Sequence, residues 1–403
     1  MPPKPSSLLD LLSDRKTWEA FYKYKDSLIS AGQDRKELSA LIREKKYEAA
    51  AAVFTPGADF PLPKKAVISK LSSEKKRTVF IYPEPENTVL KLLTWLLLRK
   101  YNSLFPENLY SFRPGRTAKD AVRKLLRTRG LSSMYAYKAD IHDYFNSIPV
   151  GLLLPKLQDA FSDDPRLLSF LSELLLEPRV LEKGKELRVQ KGIMAGTPQS
   201  SFYANLFLSD LDRSFEARGI LYARYSDDII VFGKTEEEVR GYASEIRSFF
   251  SASGLTVNPD KEFHYLPHQA FTFLGFQISG KTVDIAPATV KKLKAKMRRK
   301  RDALARWQKR SASDPERAAS AFIRVFNRKL LESPEGHELS WANWFFSVIN
   351  TTESLHEIDL YAQDCIRYLL SGSHTKKRFR VSYEDLKALG YRSLVHAYYS
   401  VKE

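Results

Sequence analysis

Three acidic residues carry the most specific chemistry in this chain. Asp227 and Asp228 stand together in Tyr225-Ser226-Asp227-Asp228, between the apolar runs Leu221–Arg224 and Ile229–Phe232. Two acids between two β-type runs predict a hairpin with its carboxylates at the tip. Adjacent acids at a solvated turn are common, so the pair takes its meaning from a third carboxylate. Asp140, in Lys138-Ala139-Asp140-Ile141-His142-Asp143-Tyr144-Phe145, ends an apolar strand-like run where a lone acid is poorly placed. Alone it reads as a helix N-cap, and His142 and Asp143 read as local structure. Together, three such carboxylates suit magnesium, which takes a few carboxylates plus substrate phosphates rather than an all-protein cage. Two such ions would activate a hydroxyl and stabilise the leaving group of an in-line displacement at phosphorus.

The elements that must position these acids follow from pattern. Residues 1 to about 55 read as helical, with Leu8, Leu9, Leu11 and Leu12 ahead of the alanine-rich Glu48–Val53, until Pro56-Gly57, Pro61 and Pro63 break the pattern. Strand-like and helix-like segments then alternate to about residue 280. Arg77–Tyr82 is β-rich, Asn87–Tyr101 has helical spacing, and Tyr135–Ile141 is a short strand. Leu221–Tyr225 pairs with Ile229–Phe232, and Phe271–Ile278 with Thr282–Ile285. Beyond Pro287 the chain is expected to be helical to its end.

That last region is strongly charged. Lys291–Arg310 holds eleven basic residues against one acid, Asp302, and interleaves Leu293, Met297, Leu304 and Trp307. Most charge runs are solvated helix faces; one so nearly of a single sign predicts a helix that tracks phosphates. The whole chain carries 65 Lys+Arg against 48 Asp+Glu, a net +17, which calls for a polyanionic partner. Nucleic acid fits better than a membrane. Leu92–Leu98 is too short to span a bilayer and no signal peptide is visible, so a cytoplasmic protein is expected. The single cysteine, Cys365, excludes a disulfide framework and any multi-cysteine metal site within one chain. The aromatic clusters Trp341–Phe346 and Tyr398-Tyr399 read first as core packing and second as base-stacking platforms.

From about residue 64 to 280 the chain resembles reverse transcriptases. Arg77–Pro83 and Tyr110-Ser111-Phe112-Arg113-Pro114-Gly115-Arg116 resemble the first two fingers motifs, Asp140–Phe145 motif A, and Tyr225–Asp228 the YxDD of motif C. Gly254–Lys261 is similar to motif D, and Phe273-Leu274-Gly275-Phe276 to the primer-grip hairpin of motif E. Gln190–Asn205 aligns without gaps to an intron-type motif B. In that register Met194-Ala195-Gly196 takes the place of the family's Pro-Gln-Gly, and the visible Pro198-Gln199 is displaced by four residues. Ala195 then stands where the family has a glutamine that contacts the incoming nucleotide. The FRPGR stretch and Ala121 point to the bacterial branch, near group II intron and retron enzymes. The motif B departures suit divergent members associated with phage defence or abortive infection.

The resemblance implies an α+β right-hand polymerase. A helical N-terminal extension would occupy 1–60, fingers and palm with an antiparallel sheet plus helices 61–280, and a basic helical thumb and C-terminal region 281–403. It implies catalytic, magnesium-holding roles for Asp140, Asp227 and Asp228. Phe145 becomes the gate against a ribose 2′-hydroxyl. Lys70 or Lys76, Arg77 and Arg113 become triphosphate contacts, Lys261 the proton donor to pyrophosphate, and Gly196 a point of close backbone approach to the nucleotide. Gly275 and Phe276 would set the primer end. The implied reaction is RNA-directed DNA synthesis from dNTPs, in antiviral defence with a dedicated structured noncoding RNA as partner. Three alternatives stand beside it: a template-independent or protein-primed DNA polymerase, a group II intron or retron-type enzyme, and a degenerate RNA-binding scaffold.

Overall fold

In the computed structural model the described residues are 7–28, 32–69, 76–189, 192–332 and 341–402. The chain divides into two compact units. The first takes in Met1–Ser27, Gly32–Ser69 and Lys75–Gln269, and the second holds Ala270–Glu403.

The strands of the first unit are β1 (Lys64–Ser69), β2 (Lys76–Ile81), β3 (Tyr135–Asp140), β4 (Arg179–Glu182), β5 (Lys185–Arg188), β6 (Tyr222–Tyr225), β7 (Asp228–Gly233) and β8 (Phe263–Tyr265). They form two four-stranded sheets, ordered β2-β1-β4-β5 and β6-β7-β3-β8. The second sheet is antiparallel throughout. Its centre is apolar because both faces are covered: Ile229, Ile230 and Val231 have no exposed surface, a pattern expected of strands buried on two sides. Helix Glu236–Ala252 covers one of those faces. A capping box starts it, the Thr235 side chain accepting from the Glu238 N–H, and it buries Val239, Ala243, Ile246 and Phe250.

The N-terminal helices share this core. Trp18 is fully buried, donates its indole N–H to the Leu12 carbonyl at 2.7 Å, and has its ring tilted 5.2 Å from that of Tyr47. Helix Glu86–Lys100 buries Val89, Leu90, Leu92, Leu93, Leu96 and Leu97, so the Leu92–Leu98 run is a core helix face. No helix among the described residues is long and apolar enough to cross a membrane.

The second unit opens with a meander, β9 (Phe271–Phe273), β10 (Phe276–Ser279) and β11 (Thr282–Ile285). The expected single strand Phe271–Ile278 is therefore two strands. Leu274 and Gly275 both have positive φ and turn the chain in two residues, inside an apolar run that hides the turn. Helices Pro287–Ser311, Pro315–Leu330, Trp341–Phe346, Glu353–Ser371, Tyr383–Ala388 and Leu394–Lys402 follow. The long basic helix buries Val290, Met297 and Leu304 at seven-residue intervals and leaves Trp307 exposed at its far end.

Candidate functional site

The strand register gathers the acids. β3 and β7 pair antiparallel with Asp140 directly opposite Asp228, and β6 pairs with β7 through Tyr225 and Asp228. That leaves Ser226-Asp227 as a two-residue turn, with Ser226 at φ 59°. The Ile141 N–H donates to the Asp227 carbonyl at 3.1 Å, so the end of β3 and the turn are fastened backbone to backbone. Like charges facing each other across a ladder are destabilising. Fold stability alone does not explain this arrangement.

The electrostatics record the strain. Burial raises the Asp227 carboxyl above its ordinary value, and Asp140 raises it further. Burial pushes Asp228 up to about 7, with Lys138 pulling it down and Asp140 and Asp227 pushing it up. The Asp228 Oδ1 is buried without a hydrogen-bond partner, and Lys138 Nζ lies 3.5 Å from it. Lys261 Nζ donates to Asp140 Oδ2 at 2.7 Å. The segment before Lys261 runs beside the end of β3, where Asn258 N–H donates to the Asp140 carbonyl and His142 N–H to the Thr256 carbonyl. Lys261 is thus brought to Asp140. Lys138 joins it unforeseen, although its place two residues before Asp140 on one strand puts both on the same face.

Among the described residues no three acidic, histidine or cysteine side chains converge closely enough to hold a metal by themselves. An orphaned buried carboxylate oxygen beside two further carboxylates still suits a hard cation that draws its remaining ligands from water and phosphate.

A buried polar network holds the turn. Arg224 and Asp212 form an ion pair with neither side chain exposed. Arg224 Nε donates to Asp212 at 2.8 Å, one terminal nitrogen to the Ser226 carbonyl at 3.1 Å, and the other to the Asn205 carbonyl at 3.1 Å. Burial pulls the guanidinium pKa down, but Asp212 outweighs that and holds it above the ordinary arginine value. Ser111 Oγ accepts from the Ser226 N–H and donates to Asn205 Oδ1, while Asn205 Nδ2 donates to the Ser111 carbonyl. Tyr222 OH also donates to Asp212. Sequence reasoning missed these residues. The one signal was an arginine inside an apolar strand, which demands a buried acid.

Other expected positions fall out differently. Arg113 is corrected: it is buried, and its guanidinium donates to Asn102 Oδ1 at 2.9 Å and to the carbonyls of Pro106 and Leu109. Its donors staple the 102–113 loop, leaving it unsuited to clamp a triphosphate. Arg77 lies in β2, but its side chain and all of Lys70 fall outside the described residues. Gly196 has φ +102°, and a Cβ there would meet Val79 Cβ at 3.0 Å and the Phe80 carbonyl at 3.1 Å. The close backbone approach it permits is to β2. Gly192 was not foreseen; its Cβ would lie 2.4 Å from Asn146 Cα, and the neighbouring Ile193 N–H donates to the Phe145 carbonyl. The loop that begins at Gly192 thereby backs Phe145, whose half-buried ring lies 6.5 Å from Phe112 and 5.7 Å from Tyr144. Gln199 is buried, as is Ala195.

If Phe145 gates the sugar, Phe145→Ala should raise ribonucleotide use relative to deoxynucleotide use. A shift of about 10–200-fold in the kcat/KM ratio is expected, the range that steric rejection of a small group commands. An unchanged ratio would assign sugar selection to another side chain.

A retron Ec86 reverse transcriptase from Escherichia coli is 29% identical over 106 residues, covering 25% of this chain and 33% of the relative. The chain thus aligns with only a third of that enzyme's length. Apo telomerase of Candida tropicalis truncated of its C-terminal domain superposes with a TM-score of 0.47 at 14% identity, covering 56% of this chain and 55% of that one. Telomerase of Candida albicans in complex with a fragment of telomeric RNA gives 0.45 at 12%, covering 91% and 70%. The family model described as reverse transcriptase (RNA-dependent DNA polymerase) matches residues 63–278, more than half of the chain and the whole of both four-stranded sheets, including the one that carries the acids. By that match the chain belongs to the reverse transcriptase family.

Proposed function

We propose that the protein is an RNA-directed DNA polymerase that makes complementary DNA by magnesium-dependent nucleotidyl transfer. The observation that carries this is the register that sets Asp140 opposite Asp228, with Asp227 in the adjoining turn. Asp140, Asp227 and Asp228 would hold the ions. When bound, magnesium would favour the deprotonated primer hydroxyl and offset the charge of the departing pyrophosphate. The chain's own groups do the rest. Lys261, bonded to Asp140, would give a proton to pyrophosphate. Arg77 and Lys70 would take the triphosphate, Phe145 would exclude the 2′-hydroxyl, and Gly196 holds its loop against β2. Residues 1–60 would form the helical N-terminal extension, 61–280 the fingers and palm, and 281–403 the helical thumb and C-terminal region.

The partner reading rests on charge. The net +17 lies largely outside the motifs, much of it in Lys291–Arg310. Duplex RNA is held by shape and backbone contacts, with bases read in single-stranded loops. A dedicated noncoding RNA, in antiphage defence, suits such a surface, and the buried unpaired Cys365 suits the reducing cytoplasm. A retron-type enzyme is the second reading, favoured by the similarity to the retron relative. Primer extension with and without RNA template, with the products sequenced, tests the activity. Products that copy the template, only when magnesium is present, are expected; equal products without RNA would replace this reading with template-independent synthesis. Protein expressed with its native flanking DNA should copurify one dominant RNA. Heterogeneous RNA with no enriched species would remove the dedicated partner.

A further inference from the structure

The second unit contains a cavity of about 750 Å³ between helices Pro287–Ser311, Pro315–Leu330 and Trp341–Phe346. Its floor is apolar and buried, made by Met297, Phe322, Phe326 and Phe345. Trp341 and Trp344, each half-buried, complete the aromatic lining. Helical domains close-pack such surfaces, so an apolar hollow of this size is a place for something else. The volume lies within the range of about 300–1,000 Å³ usual for sites that take small organic groups.

Charge narrows the occupant. Lys292, Lys296, Arg299 and Lys300 line the cavity from the basic helix and Lys329 from the next, and among the described residues no acidic one lines it. Lys292, Lys296, Lys300 and Lys329 form no ion pair among the described residues. The spacing 292, 296, 300 keeps three of these charges on one helix face. Flat aromatic walls under a rim of cations match a flat aromatic group that carries anions on either side. A nucleotide within a strand has that form: the base stacks and the flanking phosphates meet the lysines. An apolar peptide helix would leave the lysines unanswered.

Position points the same way. A Cβ on Gly275 would lie 3.6 Å from Thr289 Oγ1 and 3.7 Å from the Phe345 ring. Both residues line the cavity, so it shares a wall with the β9–β10 turn that the family resemblance assigns to the primer end. RNA recognition favours bases splayed out of single-stranded segments onto aromatic side chains.

We infer that this pocket captures one unpaired nucleobase of a single-stranded RNA segment against Trp341 and Trp344, with the neighbouring phosphates on Lys292, Lys296 and Lys300. This rests on the reading that the protein binds an RNA template. The test uses the full chain and an RNA hairpin carrying a short single-stranded tail with 2-aminopurine at one tail position. The wild type should quench the probe and bind the tailed hairpin more tightly than the blunt one. Trp344→Ala should cost about 5- to 150-fold of the tail-dependent affinity, as loss of a stacking partner does, and leave blunt binding unchanged. The exposed pair Lys292→Ala with Lys296→Ala should flatten the logarithmic salt slope for the tail by about 1.4, at about 0.7 per single-strand contact. That pair keeps the inference testable should the tryptophan variant fail to fold. No quench, or tail affinity and slope unchanged in both variants, would overturn it. So would tighter capture of a DNA tail, or a Trp344→Ala change that merely splits a dimer. Primer extension by the same preparations separates the two readings. Extension without tail capture removes only the pocket, whereas tail capture without extension removes only the polymerase.

Discussion

Asp227→Asn is expected to lower nucleotide incorporation by about three orders of magnitude or more, a loss of about 4 kcal/mol in transition-state stabilisation, with RNA affinity nearly intact. Asp140→Asn should behave alike. The substitution keeps the shape of the side chain and removes the charge that a hard cation needs. The structure adds a sign that a generic loss of stability would not show. Asp140 and Asp227 repel each other, and burial disfavours both the Asp227 and the Asp228 charges. Without metal, neutralising Asp227 should therefore leave the melting temperature unchanged or raise it, while activity collapses. Single-nucleotide incorporation and thermal melting on one preparation check both halves. Full activity in Asp227→Asn would end the assignment, and a collapse in melting temperature would show that the residue serves the fold instead.

The acids were legible in the sequence because their flanks are. Leu221–Arg224 and Ile229–Phe232 bracket a short polar tip, and a strand pair joined by a tight turn follows from pattern alone. Asp140 gained its partner from the resemblance, and the cross-strand register then put it opposite Asp228. What stayed hidden was short or charged. β5 is Lys185-Glu186-Leu187-Arg188 with all four residues exposed, and β8 has three residues, so neither carries a period. The two arginines near the motifs show a deeper limit. Arg224 hints at burial by lying in an apolar strand but does not name its acid, and Arg113 gives no hint; both are buried, one on loop carbonyls and the other on Asp212. Which arginine meets solvent depends on partners brought together by folding. Pattern does not contain that.

Asp212→Ala is expected to be the most damaging single change away from the acids. It strands a buried guanidinium, and breaking a buried pair from one side costs about 3–5 kcal/mol because the remaining charge is uncompensated. That is a large part of the stability of an ordinary domain. The same Arg224 also holds the Ser226 carbonyl, while Ser111 takes the Ser226 N–H, so the turn is gripped from both ends of one residue. Stability and positioning can be separated. Replacing both partners, Asp212→Leu with Arg224→Met, removes the stranded charge and should return much of the lost melting temperature, because buried pairs are often matched by apolar residues of similar volume. It cannot return the bond to Ser226. The double variant should therefore be stable and slow, with kcat depressed and the apparent magnesium requirement raised, since Asp227 follows Ser226 in the turn. Ser111→Ala should shift the same two quantities by less, having lost one hydrogen bond to the turn and one to Asn205, each of about 1 kcal/mol. If the double variant recovers stability and full kcat together, the network supports the fold alone. The catalytic hairpin would then owe its shape to the β6–β7 ladder and the Ile141–Asp227 bond.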